Sequence, residues 1–171
     1  MDNLICIDIW DQPIGKASKE ECHFQGLLHR AFSVFLHCDG KLLLQQRALF
    51  KYHSGGLWTN ACCSHPRYGE TLDEAVPRRL QDELGIRCVC QEIGSFSYFH
   101  KFNDHLFEYE LDHIYLGAYD GPLIPNPEEI IALSWVALDE LAVSLQTTPQ
   151  RYTAWFLIAA PMVLKHLSGK P

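Results

Sequence analysis

Two apolar runs, Ala31 to Leu36 and Leu42 to Gln46, meet at Asp39-Gly40, and no other stretch of this sequence restricts the fold so tightly. Asp-Gly tolerates the positive φ of a tight antiparallel turn, so the pattern predicts a β-hairpin across residues 31–46. A second firm element lies farther along. Thr71 and Glu74 have the spacing of a capping box, in which the threonine hydroxyl accepts from the third helical amide and the glutamate reaches back. The helix it opens carries Leu72, Val76, Leu80 and Leu84 every four residues as a buried stripe, and it stops at Gly85. Pro77 removes one backbone bond inside that helix and is expected to kink it.

The remaining chain reads more weakly. Leu4 to Trp10 alternates as a strand and ends at the turn Asp11-Gln12-Pro13. Lys16 to Gln25 is polar without a clear period and is expected to be a loop. Leu106 to Tyr119 reads as a strand, Ser134 to Ala137 as a short strand, and Leu138 to Leu145 and Tyr152 to Leu167 as helices. No repeat, linker or low-complexity segment interrupts the 171 residues, so residues 1–171 are expected to form one domain. Strands outnumber helices and the connections are irregular, which predicts an α/β (α+β) architecture with a mixed sheet flanked by helices.

Composition removes several classes. With 14 Lys+Arg against 21 Asp+Glu, a net charge of -7 and no run of three basic residues, the chain lacks the clustered cations of a nucleic-acid binder. Met1 to Trp10 has no cationic leader pattern, and the longest apolar stretch, Ala154 to Leu164, is too short for a bilayer and contains Pro161. Seven cysteines without a C-x-x-C pair indicate neither a disulfide framework nor a four-cysteine zinc site. A soluble, cytoplasmic protein with reduced thiols and no evident obligate protein partner is expected, bound neither to nucleic acid nor to membrane.

Four groups of residues carry chemistry. At strand spacing Glu108, Glu110 and Asp112 share one face, with Phe107, Tyr109 and Leu111 on the other. Three adjacent acids are either a solvated outer face or half of a cation site. His29 and His65 are each unremarkable alone, but beside a carboxylate pair they become imidazole ligands of an N/O site suited to Mn, Fe, Zn or Mg. Cys62 and Cys63 cannot both face the same side of an extended segment, so one can be reactive while the other packs. Their position upstream of a helix N-terminus favours a thiolate. Arg79 and Glu83 are four apart on the helix, either a simple ion pair or a phosphate contact beside a ligand for a second divalent ion.

These residues together resemble the type I isopentenyl-diphosphate isomerases, which are built on the Nudix fold. The resemblance rests on Gly26 to Ser33 (GLLHRAFS), Leu44 to Arg47 (LQQR), Trp58 to Pro66 (WTNACCSHP) and Glu108 to Glu110 (EYE), and it extends from about Leu4 to Leu167. Ser64 to Ile86 is similar to a degraded Nudix box, with Glu70, Arg78, Leu80, Glu83, Gly85 and Ile86 in register. It departs at Ser64 (usually Gly), at Arg79 (the first helix Glu) and at Asp82 (the next). Replacing a metal-binding carboxylate by arginine argues against diphosphate hydrolysis.

The resemblance implies a Nudix α/β/α sandwich and a 1,3-allylic proton shift from isopentenyl to dimethylallyl diphosphate through a tertiary carbocation. It implies Cys63 and Glu110, the latter assisted by Tyr98, as the opposed acid and base, with Cys62 packed behind. His23, His29, His65, Glu108 and Glu110 would hold Mn2+, Zn2+ or Mg2+. Lys19, Arg47, Lys51 and Arg79 would contact the diphosphate, Glu83 would hold a Mg2+ that bridges to it, and Trp155 would lie over the carbocation. A flavin is not expected, because the chain has no glycine-rich phosphate loop and is too short for a β/α barrel. The alternatives are a Nudix-type diphosphate hydrolase and a catalytically silent Nudix-fold diphosphate binder.

Overall fold

A computed structural model describes residues 3–169, so the outer two residues at each end of the expected domain lie outside it. The Asp39-Gly40 turn forms as the sequence predicts, with φ of 46° and 71° at its two positions. It joins β3 (His29–Cys38) to β4 (Lys41–Arg47). The two arms are paired only at His37 with Leu42 and Cys38 with Lys41, then separate to satisfy their backbones elsewhere. β4 runs antiparallel to β9 (Ile130–Ala137), longer than the strand expected there.

β3 lies parallel to β8 (Leu106–Ala118) over nine residue pairs, from His29 with Glu110 to His37 with Ala118. On its other side β3 meets β6 (Cys62–Ser64), antiparallel, with Ser33 opposite Cys63. β1 (Asn3–Ile7) and β2 (Pro13–Ser18) extend one edge, and β5 (Trp58–Thr59) borders β4. β8 is also paired with β7 (Gln91–Asn103), a strand that the sequence pattern does not predict. The sheet is therefore mixed.

Both faces of its centre are apolar, as expected for strands covered by helices on either side. Phe32, Val34 and Leu36 pack with Val76, Leu80 and Leu84 of α2 (Leu72–Leu84). Phe35 and Ile114 pack on the opposite side against α3 (Leu138–Thr147) and α4 (Ala154–Ser168), with Phe35 stacked on Phe156 at 5.9 Å. Neither Pro77 nor Pro161 ends its helix.

Lys16 to Gln25 is not a loop. Its first residues finish β2, and Lys19–Gln25 form α1. The Ser18 hydroxyl accepts from the Glu21 amide at 3.1 Å, and the Glu21 carboxylate accepts from the Ser18 amide at 2.9 Å. Gly26 takes the left-handed conformation, φ 65°, that closes the last turn. Local capping thus supplies what apolar periodicity does not, and the helix buries Cys22 and His23.

The turn into α2 is tied by Glu70, whose carboxylate receives the Arg78 guanidinium at 2.6 and 2.7 Å and the Arg67 amide at 2.8 Å. The Arg78 hydrogen bonds hold the Glu70 pKa below its ordinary value. Glu70→Gln is expected to cost about 1–2 kcal/mol at pH 7. A carboxyl with a depressed folded pKa stabilises fully above its unfolded pKa of about 4.3 and loses that contribution as pH falls through the folded value. Urea unfolding should therefore separate the variant from wild type at pH 7 and narrow the gap progressively as pH falls below about 4.

Candidate functional site

A cleft of about 360 Å³ opens where β3, β6 and β8 run side by side under Trp155 of α4. The parallel register sets His29 of β3 beside Glu110 of β8, their Nε2 and Oε1 3.3 Å apart. Glu108, Glu110 and Asp112 are 3%, 5% and 2% exposed, so the solvated-face reading does not hold. Lys101, the basic residue nearest in sequence, pairs with Asp104 instead.

Glu110 also receives His65 Nε2 at 2.7 Å and the Tyr98 hydroxyl at 2.7 Å. Tyr98 bridges, because its hydroxyl lies 2.8 Å from Glu108 as well. His23 of α1 completes the group: its donor atom and those of His29, His65 and Glu110 lie within 4.8 Å of one another. That span suits one ion with bonds of about 2.0–2.2 Å, whose opposite ligands stand about 4–4.4 Å apart. Both ring nitrogens of His23 are buried without a hydrogen-bond partner, which is costly unless a cation takes one of them.

Two of the three imidazoles are held neutral, as ligation needs, whereas at His29 burial is outweighed by the hydrogen bond and charge of Glu110, which raise its pKa. Burial, reinforced by neighbouring histidines, lowers His23 to about 2. Burial likewise lowers His65 to about 4, against the pull of Glu110. Burial opposes ionisation of Glu110 too, but hydrogen bonds from His29 and His65 hold it well below the usual carboxylate range. His29 Nδ1 faces the Leu27 carbonyl at 2.8 Å, which orients its other nitrogen toward Glu110. The fold thus gathers a histidine–glutamate cluster whose geometry is consistent with a divalent metal.

Glu108 stands apart from the four-residue group. Its Oε1 lies 2.7 Å from Nε2 of His53, which the sequence reading misses. His53 sits in the irregular segment between β4 and β5, where no periodic pattern marks it. Asp112, beside the group, receives the Ser33 hydroxyl at 2.8 Å. Burial and the Glu110 charge raise it well above an ordinary carboxyl.

The two cysteines divide as alternation requires: Cys62 packs in the core with α2, while Cys63 lines the cleft. Arg47 Nη1 is 3.8 Å from the Cys63 sulfur. Burial nevertheless pushes Cys63 up to about 12, with Arg47 opposing it, so it is a thiol and not the expected thiolate. α2 begins only at Leu72, out of reach of the dipole effect invoked from the sequence.

The expected cations line the same cleft. Lys19, at the start of α1, has its pKa lowered by burial against the pull of Glu110. Lys51 forms an ion pair with Glu129, and Arg79 lies 3.4 Å from Glu129 and 2.5 Å from Glu83. Glu129, too, is missed by the sequence reading. Burial raises the Glu83 pKa against the Arg79 charge, and Gln45 donates to Glu83 at 3.1 Å. Trp155 is 4% exposed, its indole N–H 3.3 Å from Asn60 and the Arg47 guanidinium 5.1 Å from its ring centroid.

A mixed sheet between helices, with the loop and helix of Ser64 to Ile86 on one wall of the cleft, defines a Nudix domain. The NUDIX domain family model matches residues 27–156. Within that class the chain belongs to the isopentenyl-diphosphate Delta-isomerase family. It is 48% identical to the isopentenyl-diphosphate Delta-isomerase of Serratia proteamaculans over 90% of this chain and 87% of that one. The Photobacterium profundum isomerase is 40% identical over 99% and 98% of the two chains. Among solved structures, a Deinococcus radiodurans protein superposes with a TM-score of 0.78 at 18% identity, covering 94% of this chain and 98% of the other. A MutT NUDIX hydrolase from Burkholderia pseudomallei superposes with a TM-score of 0.64 at 23% identity, over 78% and 96%. Those two likenesses concern the fold.

Proposed function

We propose that this cleft carries out the isomerisation of isopentenyl diphosphate to dimethylallyl diphosphate, the activity of the chain's family, with Cys63 and Glu110 as the opposed proton carriers. The observation that carries the reading is their placement on the two strands that flank β3, both facing the cleft. Their backbones are offset by two strand spacings across β3 and by four residues of register along it, which leaves room for a small alkene between the side chains. One group gives a proton to the terminal CH2 carbon, leaving a tertiary cation at C3, and the other takes a proton from C2. Water entering at that stage would trap the cation as an alcohol, so the buried setting of Glu110 and the half-buried one of Cys63 serve the chemistry.

Trp155 roofs the cleft from α4 and would face the cation, a contact worth on the order of 2 kcal/mol when desolvated. Lys19, Arg47, Lys51 and Arg79 would take the diphosphate, with Glu83 holding the Mg2+ that accompanies it. His23, His29, His65, Glu108 and Glu110 would hold Mn2+, Zn2+ or Mg2+, and that ion's charge would lower the proton affinity of Glu110 and fix its orientation. No described helix is long and apolar enough to cross a membrane. We place the enzyme in the cytoplasm, where its seven cysteines would remain thiols as they are here.

Incubation with isopentenyl diphosphate and Mg2+ should yield dimethylallyl diphosphate without release of inorganic phosphate. Phosphate release without isomer would favour a hydrolase, and tight binding without either product would favour a silent binder.

A further inference from the structure

We propose that His53 is a fourth imidazole ligand of the metal, so that this chain offers four histidines and two glutamates in place of three and two. The proposal rests on the metal-site reading above. Adjacent ligands on an octahedral ion with bonds of about 2.1 Å stand about 3 Å apart. His65 and Glu110 (2.7 Å) and His29 and Glu110 (3.3 Å) have that spacing, and so do His53 Nε2 and Glu108 Oε1 at 2.7 Å.

The donor atoms of His23, His53 and Glu108 lie within 4.8 Å of one another, the same span as in the first set. His23 belongs to both sets, and Tyr98 ties their two carboxylates together. His53 is also held as a ligand would be. Its ring stacks on Phe102 at 4.5 Å and meets Trp155 edge-on at 5.9 Å, and its carbonyl accepts from Arg47 at 3.3 Å. Nδ1 faces the Ser54 hydroxyl at 3.3 Å, which leaves Nε2 for the interior. A shell richer in imidazole favours a later first-row divalent ion over Mg2+.

The test uses protein loaded with Co2+, which shifts the ring N–H proton signals of coordinated histidines far outside the normal NMR range. Wild type should show four such signals and His53→Gln three, with His65→Asn as the reference loss. Three signals in both wild type and His53→Gln would overturn the proposal and leave His53 as a residue that only orients Glu108. A pattern unaltered by His65→Asn would overturn the metal-site reading itself. Circular dichroism of each variant separates loss of a ligand from loss of the fold.

Discussion

Cys63→Ala is expected to lower kcat by at least about a thousandfold with little change in KM, the scale of losing a positioned proton carrier. Cys62→Ala should retain most of the turnover. The difference comes from alternation along β6: Cys63 reaches the cleft near Arg47, whereas Cys62 packs with Val34, Ala75 and Leu80. Removing the Cys62 sulfur leaves a void of about one methyl group and should cost about 1 kcal/mol of stability. Because burial keeps Cys63 as a thiol, the group carries a proton at neutral pH. Cys63→Ser should be almost as inactive as alanine, since a hydroxyl yields its proton less readily. Steady-state kinetics with urea unfolding would check both arms, and equal loss of turnover from the two cysteines would refute the division of roles.

Glu110→Gln should have a comparable effect by a different route. The Glu110 carboxylate meets His29, His65 and the Tyr98 hydroxyl at once, and an amide can offer acceptors to only part of that set. The amide also lacks the charge that a divalent ion needs and the basicity that proton removal needs. Affinity for Mn2+ is expected to fall at least about a hundredfold and kcat at least about a thousandfold. Metal content after dialysis, measured beside activity, checks the prediction. A variant that keeps its metal and loses only turnover would restrict Glu110 to proton transfer.

Much of the framework was legible in local sequence chemistry. Asp39-Gly40 predicts its hairpin because only a few residues accept two successive positive φ values, and Thr71 to Gly85 predicts α2 because cap, stripe and stop agree. α1 is missed because its seven residues carry no apolar period. Its signals are the Ser18 and Glu21 capping pair and Gly26, which a search for periodicity passes over. β7 is missed because most of its residues are exposed and Tyr98 is its one buried side chain.

The site is a different case. The alternation of Glu108, Glu110 and Asp112 shows in the sequence, but whether that face is wet or buried depends on what covers it. The meeting of His29 with Glu110 follows from a parallel register between strands some eighty residues apart, which local pattern does not encode. Family resemblance supplies that juxtaposition from outside the local pattern. It does not supply His53, which reaches Glu108 from an irregular loop.

The central claim is that this cleft moves a double bond by adding one proton and removing another. Incubation with isopentenyl diphosphate and Mg2+ in D2O, followed by NMR, tests it most directly. The account predicts dimethylallyl diphosphate with solvent deuterium in the methyl group formed from the terminal CH2 carbon, and Cys63→Ala producing none. Inorganic phosphate without dimethylallyl diphosphate, or product formed as fast by Cys63→Ala as by wild type, would contradict it.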